Sequence, residues 1–175
     1  MNVADLDLVF AWRNRESVRA AMFSDQLISR EEHAAWFAGL AGVEPVPVHI
    51  FMQQDRPAGV ATVSRVHQPS RRCSWGFYLG AEGLPAGSGK RLGFTALEYL
   101  VEELGMRKIC AAVLASNRAS LGLHRFLGFR EEGHLVAHHR RGEAFEDVVL
   151  LAIFDAEWRS RRGVVAPALF TGGDD

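Results

Sequence analysis

Between a β-rich run, Trp75-Gly76-Phe77-Tyr78-Leu79, and a helical period that opens near Leu92 lie ten residues, Gly80 to Gly89, holding four glycines and Pro85. No regular element tolerates that composition, so the chain must pass from strand to loop to helix there. Such a junction favours an anion, because the first amides of a helix have no intrahelical acceptor and the dipole is positive at that end. What the loop lacks narrows the choice. A Walker A loop ending at Gly89-Lys90 would need glycine at 84 and Ser or Thr at 91, where the chain has Leu84 and Arg91. Gly87-x-Gly89-x-x-Leu92 also lacks the third glycine of a dinucleotide fingerprint. An NTPase and a dinucleotide-binding unit are both disfavoured.

Around this junction the apolar spacing predicts alternating elements. Leu6, Val9, Phe10 and Trp12 form a short amphipathic helix ending at the polar knot Arg13-Asn14-Arg15. Ser29-Arg30-Glu31-Glu32 has the form of a capping box and starts a second helix, ending near Gly42. Val46 to Met52 and Gly59 to Val66 read as a hairpin turning at Gln54-Asp55-Arg56-Pro57, with Trp75–Leu79 as a third strand. After the loop come a helix through Leu92, Ala96, Tyr99 and Leu104 and a buried strand, Ile109–Leu114. A helix capped by Asn117 and closed by Gly128 follows, with Ala119, Leu123, Phe126 and Leu127 as its core stripe. A last hairpin spans about Gly133 to Ile153 and turns at Arg141-Gly142. A length of 175 residues fits one α/β domain, 1–162, followed by a loosely ordered tail, 163–175, marked by Pro167 and the closing Gly172-Gly173-Asp174-Asp175.

Charge and cysteine content restrict the partners. Twenty basic residues against 21 acidic ones lack the electrostatic footprint of a nucleic-acid binder. Cys73 and Cys110 fit no CxxC pattern, which suits a reducing cytoplasm. The first residues are acidic where a signal peptide is basic, and no apolar run approaches the ~20 residues of a membrane span. No membrane partner is expected. His134, His138 and His139 fall in a strand, where positions four apart lie ~13 Å from one another, so no metal is expected there.

Two segments resemble a known superfamily. Ser88-Gly89-Lys90-Arg91-Leu92-Gly93 resembles the acetyl-CoA loop of the GCN5-related N-acetyltransferases (GNAT), Arg/Gln-x-x-Gly-x-Gly/Ala, with departures at Ser88 and Arg91. Asn117 to Phe129 resembles their Asn-x-x-(Ala/Ser)-x-x-x-Tyr-x-x-x-Gly-Phe segment. Within the superfamily five words are similar to the acetyltransferases of pseudaminic-acid biosynthesis, the sugar used in flagellin glycosylation. They are Trp12-Arg13-Asn14, Val18-Arg19, Ile28-Ser29-x-Glu31-Glu32-His33, Ser74-Trp75-Gly76-Phe77-Tyr78 and Leu123-His124-x-x-x-Gly128-Phe129-x-Glu131-Glu132-Gly133. Those enzymes acetylate the 4-amine of a UDP-linked 4-amino-4,6-dideoxy sugar.

The resemblance implies a mixed, mostly antiparallel sheet with helices on both faces, splayed between the family's fourth and fifth strands. The family's first strand should be missing or truncated, since the chain begins almost at the first helix. It implies acetyl-CoA as acetyl donor with no metal, and a UDP-aminosugar as partner; a homodimer is compatible with it. The backbone of Phe77, Tyr78 and Leu79 would hold the pantetheine arm and thioester. Gly87, Ser88, Gly89, Lys90, Arg91, Leu92 and Gly93 would hold the pyrophosphate, with Asn117 and Ser120 completing the cofactor site. His124 takes the position of the family's tyrosine acid; with ordinary values of ~6.5 against ~10, imidazolium is the stronger acid.

Arg13 and Asn14 are candidates for a diphosphate clamp, because guanidinium matches phosphate with paired hydrogen bonds. Met22 and Trp75 are candidates for the floor of a deoxysugar pocket, and Ser74 or His49 for holding a water that takes the amine proton. No carboxylate stands in Cys73–Tyr78, where many relatives place a Glu base. An amine of pKa ~8 costs only about 1.4 kcal/mol to deprotonate at pH 7, against almost 5 for a lysine at ~10.4, so a weak base suffices for a sugar amine. A protein N-terminal amine passes the same test. Acylation of a protein N-terminus, or acyl-CoA binding without catalysis, therefore stays open beside the sugar reading.

Overall fold

The computed structural model describes residues 1–170. A single 3₁₀ turn, Val3–Asp5, capped by Asn2, leads into α1, Leu6–Arg13, whose buried side carries Val9 and Trp12. A one-turn helix, α2, Glu16–Arg19, follows. In α3, Arg30–Ala38, the Ser29 hydroxyl accepts from the Glu32 amide at 3.1 Å and the Glu32 carboxylate accepts from the Ser29 amide at 2.7 Å. The reciprocal cap has formed, and the helix stops at Gly39, short of Gly42. Strands β1, Val48–Gln53, and β2, Arg56–His67, turn on Gln54 and Asp55 alone, both at positive φ. That is the backbone a two-residue hairpin needs. Pro57 is consequently in β2, beside a register shift between Phe51 and Met52, where a strand tolerates a residue without an N–H.

Strand β3, Arg72–Leu79, is followed by α4, Ser88–Glu98, which runs on as a π-helical turn, Tyr99–Glu103. Then come β4, Lys108–Leu114; α5, Arg118–Leu127; β5, Arg130–Arg141; β6, Ala144–Phe154; and α6, Asp155–Phe170. The six strands form one sheet in the order β1-β2-β3-β4-β6-β5, and only β3 and β4 run parallel. Among the described residues no strand precedes α1. α1 packs on Val48 and Val60 on one face of the sheet. α4, α5 and α6 bury Leu97, Leu121, Leu127 and Trp158 on the other. β3 and β4 pair only from Arg72–Ser74 to Lys108–Cys110, and beyond Ser74 they part.

The loose tail expected from 163 does not begin there. Val165 and Leu169 are buried in the main core, and Trp158 donates to the Glu98 carboxylate at 2.6 Å, while Arg162 bonds Glu98 and Glu102. Burying two aliphatic side chains outweighs the backbone bond lost at Pro167, so 163–170 is helical. The rest of that expected tail, 171–175, lies outside the described residues.

Candidate active site

Where β3 and β4 part, a groove of about 630 Å³ opens between the end of β3 and the N-termini of α4 and α5. Phe77, Tyr78 and Leu79 form its floor, Gly87, Gly89 and Lys90 one wall, and Arg118, Ala119, Ser120, Gly122 and Leu123 the other, with Ser17, Val18 and Ala21 at its mouth. Gly87 caps α4 at φ +87°, a left-handed conformation that glycine adopts without cost. The Ser88 amide and hydroxyl both donate to the Pro85 carbonyl, at 3.2 and 2.7 Å, closing the loop onto the helix. Among the described residues the next amides, Gly89 and Lys90, have no backbone acceptor, and both residues line the groove. Lys90 lies 4.3 Å over the Phe126 ring and, with Arg118, brings positive charge. Two free amides, a helix dipole and two cations suit a pyrophosphate, so the residues present fit acetyl-CoA.

On the α1 and α3 side of the sheet is a second cavity, about 370 Å³. Val9, Met22, Ile28, Trp36, Val60 and Phe77 make it largely apolar; Arg13, Glu32, His33, Thr62 and Tyr78 supply the polar groups. Phe77 and Tyr78 line both spaces, so the two meet across one stretch of β3. Arg13 donates from Nη2 to the Ser24 carbonyl at 2.8 Å, while its Nη1 is buried without a partner. His33 is buried between Phe10 and Trp36, with Nε2 3.1 Å from the Leu6 carbonyl. A carbonyl only accepts, so Nε2 carries the hydrogen and Nδ1 keeps its lone pair. Burial lowers the His33 pKa against the opposing pull of the Leu6 carbonyl and Asp7, and the ring is neutral at pH 7. Burial also raises the Tyr78 phenol to about 12, with the Arg13 charge working the other way.

The acetyltransferase (GNAT) domain family model matches residues 1–130. This chain belongs to the GNAT acetyltransferases. It is an acetyl-CoA-dependent acyltransferase. Solved structures share its GNAT fold. The spermidine N-acetyltransferase of Vibrio cholerae in complex with CoA and spermine is 20% identical, with a TM-score of 0.83 over 91% of this chain and 95% of its own. An N-acetyltransferase from Staphylococcus aureus Mu50 is 20% identical, with a TM-score of 0.74 over 89% and 95%. A GNAT-family acetyltransferase from Bacillus anthracis is 17% identical, with a TM-score of 0.74 over 90% and 93%. No curated protein sequence matches this chain.

Within this GNAT frame several expected site residues stand elsewhere. His124 does not reach the groove. It is 3% exposed, enclosed by the rings of Trp75, Phe77 and Phe129, and faces the core together with Leu121 and Leu127. Its Nδ1 lies 2.7 Å from the Ser120 carbonyl and therefore carries the hydrogen; Nε2 is buried without a partner. Burial lowers its pKa, so it is a neutral ring whose single proton is already committed. Of the expected α5 stripe, Leu127 is in the core and Leu123 and Phe126 pack against it, but Ala119 is exposed, and Ala119 and Leu123 line the groove. Ser120 lines it as expected, but the Asn117 carbonyl oxygen is spent capping α5 through the Ser120 amide at 3.0 Å.

On α4 only Gly89 and Lys90 face the groove, beside the capping Gly87. Ser88 and Leu92 are buried, Arg91 lies over the Phe170 ring, and a Cβ on Gly93 would stand 2.8 Å from Leu127 Cδ1, which makes Gly93 a helix-packing residue. His49 is on the opposite face of the sheet from the acceptor-side cavity, because it pairs with Ala61 while Val48 and Ile50 face α1. There it packs on Tyr99 at 4.6 Å. Trp75 is also on that far face, stacked on Phe129 at 5.2 Å. Ser74 lines neither space and marks the last β3–β4 pair. Asn14 spends both ends of its amide on Ile28, at 3.0 and 2.9 Å, and pins a loop, which leaves no clamp for a diphosphate.

Sequence reasoning missed His33, Ile28, Trp36 and Glu32. All but Trp36 lie inside the Ile28–His33 word, but only the fold, which makes them line one cavity with Phe77, gives them a site. Of the histidine cluster, His134 pairs with Asp147 at 2.7 Å, a carboxylate brought from across the hairpin, and His139 packs on Phe23. Among the described residues no three His, Cys, Asp or Glu side chains converge as metal ligands, and no helix is long and apolar enough to cross a membrane.

Proposed function

We propose that this chain transfers the acetyl group of acetyl-CoA to the amine of an anionic acceptor whose reacting end has apolar faces, best matched by a UDP-linked 4-amino-4,6-dideoxy sugar. The observation that carries this reading is Arg13, a lining cation with a buried, unpartnered Nη1, in a mostly apolar cavity that shares Phe77 and Tyr78 with the groove. A buried donor left unmet costs about 1–3 kcal/mol, and a diphosphate oxygen meets it with a charge-assisted bond. The walls at Val9, Met22, Ile28 and Phe77 suit ring carbons and a deoxysugar methyl. A polyamine would set cation against cation at Arg13.

Acetyl-CoA supplies an acyl group on a good leaving thiolate; the chain supplies position and protons. The acceptor nitrogen forms its bond to the acetyl carbon as the carbon–sulfur bond breaks, and the nitrogen gives up one proton. His33 Nδ1 is the lone pair on the acceptor side that takes this proton, directly or through a water. The Tyr78 hydroxyl stays protonated below about pH 12 and donates a hydrogen bond where negative charge develops, so the leaving thiolate needs no full acid.

The test is a thiol-release assay with acetyl-CoA, offering the UDP-aminosugar, an N-terminal peptide and spermidine in parallel. Turnover of the sugar alone is the expected result. Turnover of peptide or spermidine with none on the sugar would remove the reading.

A further inference from the structure

The segment Ala20–Phe23 separates the two spaces: Ala21 lines the groove and Met22 lines the acceptor-side cavity. It holds no regular structure of its own, and its carbonyls are taken by side chains from distant parts of the chain. Arg141, at the tip of the β5–β6 hairpin, donates from Nη1 to the Ala20 carbonyl at 2.9 Å and from Nη2 to the Met22 carbonyl at 2.6 Å. Its Nε lies 3.2 Å from Glu146 Oε1, and the other oxygen of Glu146 accepts from the Ser116 hydroxyl at 2.6 Å. The next residue, Asn117, reaches back to the Ala21 carbonyl with Nδ2 at 3.5 Å while its oxygen caps α5. The Phe23 ring rests edge-on against His139 of the same hairpin at 5.1 Å.

These contacts close a circuit: partition, Arg141, Glu146, Ser116, Asn117, partition. We propose that Arg141 is a positioning residue for the acetyl transfer, fixing Ala21 and Met22 so that the wall between donor groove and acceptor cavity stands in register with the N-terminus of α5. Its planar fork spans carbonyls two residues apart with separate nitrogens, while its charge stands beside the Glu146 carboxylate as an ion pair without a hydrogen bond from Nε. An ammonium cannot do this: it is a single point of charge on a flexible stem, so charge alone does not replace it. Removing the guanidinium frees two carbonyls and leaves Glu146 without its cation, so Met22 loses its place in the acceptor wall and Ala21 its place at the groove mouth.

The choice of acceptor here rests on the function proposed above, so the experiment has an arm that does not need it. Arg141→Gln, Arg141→Lys and Glu146→Gln are compared with wild type by melting temperature, acetyl-CoA Kd, acceptor KM and kcat, and amide hydrogen exchange over 20–28. Arg141→Gln should raise acceptor KM on the order of 10-fold, as expected for losing charge-assisted bonds, with a smaller rise in acetyl-CoA Kd and faster exchange at 20–23. Arg141→Lys should not restore KM. Glu146→Gln, which keeps an acceptor for Ser116, should fall between. If Arg141→Gln fails to fold, Arg141→Lys carries the same comparison. Wild-type acceptor KM and acetyl-CoA Kd in a folded Arg141 variant would overturn the proposal, as would full rescue by lysine. If wild type turns over none of the amines offered, the acceptor assignment has failed; unchanged Kd and exchange in the variants would then overturn the role of Arg141 by themselves.

Discussion

The two spaces that meet at Phe77 and Tyr78 are built from different material. The donor groove presents main chain: amides of Gly89 and Lys90, the unpaired edge of β3 beyond Ser74, and small residues on α5. The acceptor-side cavity presents side chains from α1, α3, β2, β3 and the 20–28 loop, and that loop is tied through its own carbonyls and Ile28 by Arg13, Asn14, Arg19 and Arg141. A site made of backbone needs a conformation and tolerates many sequences. A site made of side chains changes with every substitution, even on the same fold. One family can therefore share the groove while its members differ in acceptor.

The sharpest test of a backbone-built groove uses its two helix glycines, which look alike in sequence. At saturation near 100 times its Kd, acetyl-CoA should stabilise wild type by about 2.7 kcal/mol, a rise of roughly 5–10 °C for a domain of this size. Gly89→Asp should abolish that rise through repulsion, although an aspartate in the first turn of α4 does not weaken the empty protein. Gly89→Ala should keep it, because a Cβ there would meet only Leu79 and Leu123 at ordinary distances of 3.8 and 3.9 Å. Gly93→Ala should instead lower the melting temperature by crowding Leu127, at a cost of about 1–3 kcal/mol, and leave the ligand-induced rise intact. Thermal melts with and without acetyl-CoA decide all three, and loss of the rise in Gly93→Ala alone would reverse the two roles.

Next in size is the contrast between Tyr78, which lines both spaces, and His124, which lines neither. Tyr78→Phe should lower kcat by an amount on the order of 10²-fold with little change in acetyl-CoA affinity, the mark of a group acting on developing charge. His124→Phe fits the aromatic enclosure of Trp75, Phe77 and Phe129 and removes a buried unpartnered nitrogen, so kcat should stay near wild type. The family resemblance alone predicts the reverse order, so single-turnover rates of the two variants discriminate directly.

That reversal shows what was legible in the sequence. Periodicity and capping place the longer elements from α1 to β6, though not the one-turn α2, because both depend on neighbours a few residues apart: Ser29 with Glu32, Asn117 with Ser120. Helical period also identified α5, yet whether His124 or Leu123 faces the groove depends on a rotation of about 100° per residue set by packing on α4 and the sheet. His33 was visible and unassigned, since nothing local distinguishes it from a core histidine. As sequence neighbours Arg13 and Asn14 suggest one clamp, but the two adjacent side chains diverge: Arg13 lines the cavity and Asn14 bonds Ile28. No helix is expected from the sequence after the last hairpin, so all of α6 is new in the structure; Pro167 argues against it locally, and its support comes from α4 and the main core.

Arg13 tests the side-chain-built cavity with a smaller effect. Arg13→Lys keeps the charge and loses the fork, so it should raise the KM for the sugar nucleotide about as much as Arg13→Ala, on the order of 10-fold. Acetyl-CoA affinity should hardly move, since Arg13 lines only the acceptor side. Because Nη2 also holds the Ser24 carbonyl, each variant needs its melting temperature and the exchange of 24–28 amides measured alongside. Unchanged KM in a folded Arg13→Ala enzyme would remove the anion from the acceptor description.

The smallest effect is on acid stability, and it too separates the two regions. His33, beside the acceptor space, and His124, in the core behind the groove, are both held below the ordinary imidazole value by burial. A depressed native pKa means that the unfolded chain binds the proton more tightly, so stability is complete above pH ~6.5 and falls as pH drops toward the native pKa. Glu31, held low by its own backbone amide, and Asp147, held low by His134, contribute only once pH falls below the ordinary carboxylate range, ~4. Just below pH 6.5 the two buried rings therefore each lower stability. His124→Phe should flatten the fall in melting temperature there and leave the acid limb of kcat/KM where it was. His33→Gln should also flatten it, but with loss of the acid limb, because the glutamine can still donate to the Leu6 carbonyl while offering no lone pair that titrates there. A kcat/KM profile that keeps its acid limb in folded His33→Gln would assign the proton transfer to a group other than His33, and the acceptor-side cavity would then bind the amine without taking its proton.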